Sequence, residues 1–448
     1  GYLVASASTE KEPVGESGEG VQMGRVNWVN EVADKYLDME KTFDDLFQRF
    51  TDESHFSLGS GVASREVYSS ERVAHDIAGL LTGSGPSQYF FSPYKGDRFL
   101  RQKLASFLGT KGVRASSGEI QILSETNQAL DFIVTLLVKP GDSVVMEEPV
   151  HPDMYRVMEL AGARILTVPV DEDGMNCDVL ESLLTQTRPR LIFVNSSFHD
   201  PTGCILSLER RKKLVELSSR YRIPIVEEDA ASELVYDGDK LPPIKAFDTT
   251  GNVIYIYSFS LTFIPGLSLA FVTGNRDFVR ALSYLVSVRL MASDWMTQKL
   301  LGMYLDDGSY YSSLATFREI YSGNRDLVCQ KLDALAHLGV RYERPRGGVY
   351  VWCRLPDGVD SKHFINRAYN MGVTLIPGHV FYPYKNGGRD YIRINYSYES
   401  RERLACGMDV SHKALEEELE EEELALTEKD PENISKKQKK KTRRSQKE

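Results

Sequence analysis

The chain has 448 residues, of which 42% are hydrophobic and 26% charged, and a formal net charge of −10. That length suffices for a large domain and a smaller one, each with a buried core, and the negative balance argues against nucleic acid as the main partner of the folded part. No run of about 18 uncharged apolar residues occurs, so no membrane span is expected; the five scattered cysteines, with no Cys-x-x-Cys spacing, suggest neither a disulfide framework nor a cysteine zinc site.

In chain order, residues 1–25 are polar and rich in Gly, Ser and Glu, and read as a disordered lead. They lack the basic start and apolar core of a signal peptide, which leaves a cytoplasmic address as the default. Residues 26–80 read as the first part of a small domain completed by 296–415, where short strands are predicted at 340–344, 349–353, 373–375 and 391–395. Between them, residues 81–295 alternate β-rich runs with amphipathic stretches. Strands are predicted at 120–123, 143–146, 164–168, 190–194, 223–226, 253–257 and 269–272, and helices at 127–137, 154–161, 178–185 and 208–221. Strands joined through helices imply crossover connections, hence an α/β fold: a three-layer, mostly parallel sheet with a smaller α+β domain. Residues 416–448 form a tail, acidic at 416–423 and then basic, with eight basic residues among the twelve of 436–447. Without interleaved aromatic residues for base stacking it reads as a solvated tail, the one place where nucleic-acid contacts stay open.

Eight motifs follow one another: Gly96 with Leu100-Arg101, Asn127-Gln128-Ala129-Leu130, Glu148-Pro149, Asp200-Pro201-Thr202-Gly203, Glu228-Asp229, Ser258-Phe259-Ser260, Pro265-Gly266-Leu267, and Arg393. In this order the chain resembles the class I/II aminotransferases of fold type I. The branch is that of aminoadipate/kynurenine-type enzymes and of the aminotransferase-like half of GntR-type regulators. No winged-helix segment precedes the resemblance, so the regulator form is not expected. The resemblance implies pyridoxal phosphate chemistry, with a lysine imine, an aspartate on the pyridine nitrogen, a phosphate-binding turn with serines and an arginine, and a second arginine for the substrate carboxylate.

Carried over position by position, the resemblance puts Asp229 at the pyridine nitrogen and Arg393 at the carboxylate. The lysine position is Leu261, the phosphate arginine is Ser268, and the small residues of the phosphate turn are Glu125 and Thr126. The ring asparagine is Asp200, the tyrosine after the ring aspartate is replaced by Ala230 or Ala231, and a tyrosine shared between subunits falls near Phe91. Losing an arginine from a phosphate costs about 2–5 kcal/mol, and a carboxylate at roughly 5 Å adds about 3 kcal/mol at an effective dielectric near 20. The expectation is therefore no cofactor, covalent or otherwise, and transamination absent.

Asp229, Asp200 and His151 are the candidate acid/base groups, and Arg393, Glu125, Asn127, Ser258 and Ser260 the candidate substrate contacts. The plainer alternatives are a solvated strand-end carboxylate for Asp229, an ordinary loop residue for His151, a surface group for His199 and a buried salt bridge for Arg393. Glu125, His151, His199, Asp200 and Asp229 match no metal-ligand spacing, so no metal is expected. The function expected is a PLP-independent biosynthetic enzyme binding an amino-acid-like or carboxylate ligand. A catalytically inactive partner subunit or scaffold, and a transferase using the aminated cofactor noncovalently, stay open as alternatives. A homodimer, or a heterodimer with a homologue, is expected, with residues 96–101 in the interface as the resemblance implies.

Overall fold

Strands that are apolar on both faces must be covered on both sides, and the central strands of this chain are of that kind. The computed structural model describes residues 49, 54–64, 66–83, 93–264, 266–290 and 294–429; the expectations for residues 1–25, Phe91, Pro265 and the 430–448 part of the tail lie outside them. The described elements begin with β1 (Phe56–Ser57), α1 (Ser70–Gly83) and α2 (Arg98–Thr110), and run through β2 (Ile120–Leu123), α3 (Thr126–Leu137), β3 (Ser143–Glu148), α4 (Pro152–Leu160), β4 (Arg164–Asp171), β5 (Gly174–Met175) and α5 (Cys177–Gln186). Then come β6 (Ile192–Asn195), α6 (Leu208–Tyr221), β7 (Ile225–Asp229), β8 (Val253–Ser258), β9 (Ala270–Thr273), α7 (Arg276–Arg289), α8 (Trp295–Asp306) and α9 (Ser309–Asp333). The remainder is β10 (Arg341–Tyr342), β11 (Tyr350–Arg354), α10 (Ser361–Asn370), β12 (Val373–Thr374), β13 (Ile376–Pro377), β14 (Tyr391–Asn395) and α11 (Arg401–Lys429).

Among the described residues an eight-stranded sheet has the order β2-β9-β8-β7-β6-β3-β4-β5. The neighbours β8-β7, β7-β6, β6-β3 and β3-β4 are parallel, whereas β9 runs antiparallel to both β8 and β2. Alternation along the strands divides the core. Val144, Met146, Val226 and Ile254 pack with Leu130, Ile133, Met158 and Leu282 of α3, α4 and α7, while Val145, Ile192, Val194 and Ile225 pack with Leu180, Leu214 and Leu217 of α5 and α6. This is the three-layer α/β fold. The smaller part carries a four-stranded antiparallel sheet, β10-β11-β14-β13, and the parallel pair β1-β12.

One strand departs from the expectation in a way that matters for the site. The strand predicted at 223–226 runs instead over Ile225–Asp229, and all five of its residues are buried. Three consecutive carboxyl side chains, Glu227, Glu228 and Asp229, therefore belong to the strand and point alternately to its two sides. Burying them is possible because each finds polar partners.

Candidate active site

Ligands of open α/β sheets sit at the carboxyl ends of the strands, and polar side chains collect there in this chain. Asn195 closes β6 and stands directly opposite Glu228 of β7, and its Nδ2 donates to Glu228 Oε2. Burial first, then Asp229, Asp200 and Glu227, push the Glu228 carboxyl up to about 8. The Asn195 backbone N–H donates to Glu147 Oε2 at 2.7 Å, and burial likewise raises Glu147 to about 8. Asn195 Oδ1 and Glu147 Oε1 are buried with no hydrogen-bond partner.

The loop after β6 brings Asp200 to Arg393 of β14. Arg393 Nη1 lies 2.7 Å from each carboxylate oxygen of Asp200, and Nη2 donates to the Gly59 carbonyl at 2.9 Å. The guanidinium packs over the rings of Tyr350 at 4.4 Å and Phe381 at 5.1 Å. Its side chain is 3% exposed, against 14% for Asp200. Burial alone would raise the Asp200 carboxyl, but Arg393, with His151 and His199 behind it, holds it below its ordinary range. The same pairing raises Arg393 against the opposing effect of burial. His151 caps α4, its Nδ1 accepting from the Asp153 N–H at 3.3 Å, and its Nε2 is 3.9 Å from Asp200 Oδ2.

His199 was expected at the surface; it is instead 1% exposed. Its Nδ1 pairs with Thr202 Oγ1 at 2.8 Å, and its Nε2 lies 3.6 Å from Glu147. Burial pushes its imidazole down to about 4, despite Asp200.

Asp229 lies on the side of β7 away from Glu228. It accepts from the Ser232 N–H at 2.9 Å and the Tyr255 hydroxyl at 2.6 Å, with Lys111 Nζ at 3.7 Å. Lys111 donates to Ser232 Oγ at 2.5 Å, pairs with Glu233 at 2.7 Å, and sits over the Tyr257 ring at 4.7 Å. Burial would raise Asp229, but Lys111 and these hydrogen bonds hold it low. With both oxygens engaged and 1% exposure, Asp229 is neither the solvated carboxylate nor the pocket-facing group considered from the sequence.

The remaining candidates lie around the start of α3. Glu125 is its N-cap residue, though the side chain makes no capping hydrogen bond. Much of the residue is exposed, but partial burial raises its carboxyl, an effect the Ser268 hydroxyl and Thr126 amide counter. Ser268 Oγ is buried, and the group it acts on is the Glu125 carboxylate. Asn127 Nδ2 donates to Asp153 at 3.2 Å, tying α3 to the His151 turn. Ser258 Oγ donates to Ser260 Oγ at 3.1 Å. Leu261 is 4% exposed and packs in the main core with Phe259 and Phe263, while Ala230 packs at its edge. The structure thus gathers Asp200, Arg393 and His151 with Glu228 and Asn195, and sets Asp229 apart. Glu228 stood in the Glu228-Asp229 motif without a role of its own, and Asn195 and Glu147 had not been singled out; the period-two continuation of β7 through three acidic residues was the signal that could have separated Glu228 from Asp229. Among the described residues no group of three or more His, Cys, Asp or Glu is arranged to hold a metal ion, and no helix is long and apolar enough to cross a membrane. A separate cavity of about 500 Å³, lined by Arg188, Arg190, Arg220 and Arg222, lies by the loops that enter β6 and β7, at the opposite strand ends.

Comparison with known proteins gives this arrangement a lineage. The family model described as aminotransferase class I and II matches residues 56–406. The aromatic-amino-acid aminotransferase 1 of Thermococcus litoralis is 28% identical over 369 residues, 81% of this chain and 88% of that one. The 2-aminoadipate transaminase of Thermus thermophilus is 30% identical over 362 residues, 80% and 89%. Among solved structures, the α-aminoadipate aminotransferase LysN of Thermus thermophilus, complexed with N-(5'-phosphopyridoxyl)-L-leucine, superposes with a TM-score of 0.80 at 28% identity, covering 88% of this chain and 99% of that one.

These findings correct two expectations. The PLP-independent enzyme and the inactive partner subunit rested on the departures at Leu261, Ser268, Glu125, Thr126, Asp200 and Ala230 or Ala231 from the family pattern. Relatives spanning four-fifths of the chain are named aminotransferases, and a similar structure holds a phosphopyridoxyl group. The expected absence of a cofactor falls with them, because single lost contacts do not outweigh the family match over residues 56–406 and a similar structure that holds the cofactor.

Proposed function

The chain belongs to the class I and II aminotransferase family, and from that premise we propose that it is an aminotransferase that uses a pyridoxal phosphate cofactor. The observation that carries the reading is the convergence of Asn195-Glu228 and Asp200-Arg393 at the carboxyl ends of β6 and β7. A buried polar atom without a partner fits such a group: Asn195 Oδ1 beside Glu228. Glu228 and Asn195 would hold the ring nitrogen. Ser268, with the amides that open α3, would hold the phosphate, since a helix N-terminus presents unpaired N–H groups. When bound, the cofactor supplies the carbonyl that receives the amino group and an electron-accepting ring. Asp200 fixes Arg393 against the Tyr350 and Phe381 rings, and so keeps that wall of the site in place. The His151 imidazole, 31% exposed and beside Asp200, is the group placed to take or give a proton at a bound ligand. No step is assigned to Leu261, whose side chain supplies neither charge nor proton.

Two further features belong to this reading. Tyr94 and Phe99, 48% and 40% exposed, put apolar surface around residues 96–101, which suits the pairing of two chains; light scattering should return twice the chain mass. The five cysteines are free thiols, as a reducing, cytoplasmic setting requires. The test of function is incubation of the full chain with pyridoxal phosphate and a panel of amino donors and oxo acceptors, followed by mass spectrometry of the products. Cofactor-dependent amino transfer is the expected result; no transfer with any donor, together with loss of the cofactor on dialysis, would refute the reading.

A further inference from the structure

We propose that the amino donor of this site is a primary amine without an α-carboxylate, because Asp200 already holds the guanidinium that a ligand carboxylate would need. The inference rests on the reading above, in that it names the substrate class of the same site.

The argument starts from what Arg393 has left to offer. Its Nη1 meets both oxygens of Asp200 and its Nη2 meets the Gly59 carbonyl, while its Nε is buried with no partner. A two-oxygen contact to one guanidinium nitrogen is charge-assisted, and opening it would leave two buried charges to be satisfied separately. Asp200 already neutralises Arg393, and the other carboxylate that acts on Arg393, Asp153, adds further negative charge to this corner. Glu228 and Glu147, both raised to about 8, keep their protons at neutral pH and add no charge. A ligand carboxylate would enter as a further anion, either evicting Asp200 from Arg393 or lying beside it without a cation.

An amine meets the opposite environment. The Asp200 carboxylate, 14% exposed, attracts positive charge, and the His151 ring beside it is 31% exposed. Phe381 packs against Trp352 at 5.5 Å and against the His151 ring at 6.3 Å, so the wall beside Arg393 is aromatic and suits an apolar body. Asp200 thus stands in for the carboxyl group of an amino acid, and the ligand it favours is one that lacks it.

Tyrosine and tyramine differ only by that group and serve as probes. In calorimetric titration of the full chain, tyramine should bind about tenfold or more tightly than tyrosine. In Asp200→Asn, which keeps the shape and frees Arg393, the order should reverse by a similar factor. The wild-type comparison needs no variant and decides the matter alone if the variant does not fold. Tyrosine binding as tightly as tyramine to the wild-type chain, or neither binding, overturns the inference. Tyramine preference without amino transfer to any oxo acceptor sustains the substrate class and overturns instead the reading of function on which it rests.

Discussion

Two buried carboxylate–cation pairs stand on opposite sides of β7, and they differ in what else can reach them. Lys111 and Asp229 are both fully buried, and Glu233, Ser232 and Tyr255 complete their network. Arg393 is sealed as well, but Asp200 keeps part of its surface open, beside a His151 that is 31% exposed. The first pair bonds the protein to itself on every side; the second leaves one carboxylate within reach of a ligand. The difference teaches that pairing alone does not identify a site: two buried charge pairs serve stability or recognition according to whether one partner keeps an edge open to a ligand.

Removing each cation should break the comparison most visibly. Lys111→Met leaves Asp229 and Glu233 facing each other in the core, and should lower unfolding free energy by about 3–5 kcal/mol, read from urea denaturation. A loss of under about 1 kcal/mol would mean that the network is no more than a surface-type pair. Arg393→Met should cost less, about 2 kcal/mol, because Asp200 can still draw water through its exposed edge; equal losses in the two variants would erase the distinction.

The pH response sharpens the Glu228 side. Glu147 is raised from 4.5 to about 8, so the folded chain keeps a proton that the unfolded chain releases. Its contribution is present below about pH 4.5 and is lost as pH rises through the folded value. Glu147→Gln does not titrate, and relative to wild type it should gain about 1.4 kcal/mol per pH unit between roughly pH 5 and pH 8. A pH-independent difference between the two proteins would show that Glu147 is ionised in the fold. The smallest effect is expected at Thr202→Ala, which removes the Thr202–His199 hydrogen bond on the rim of the site and should cost about 1 kcal/mol. Thermal unfolding measures it, and a change of several times that size would mean the bond organises more than one side chain.

Much of the fold could be read in the chain, because strand and helix lengths and their alternation are local properties. The runs predicted at 120–123 and 208–221 match β2 and α6 residue for residue. Asp200 and Arg393 were marked by motif, and the structure joins them although they lie 193 positions apart. Glu228 was named in the Glu228-Asp229 motif but given no role, because its partners are supplied by the neighbouring strand and not by its own surroundings in the chain; Asn195, Ser196 and backbone amides take up the acidic side chains of β7. Lys111 carried no local signal, since a lone lysine after a helix is ordinarily solvated and only the folded chain brings Asp229 and Glu233 to it. The cofactor was misjudged because departures at single positions such as Leu261, Ser268 and Glu125 were weighed against the chemistry of the motif and not against the likeness of the whole chain to its relatives.

The most direct test of the account sets the two sides of β7 against each other. Pyridoxal phosphate affinity of the full chain, measured by equilibrium dialysis, should fall about tenfold or more in Glu228→Gln and stay within about twofold of wild type in Asp229→Asn, which should instead lower the unfolding temperature. Affinity lost in Asp229→Asn and kept in Glu228→Gln would contradict it.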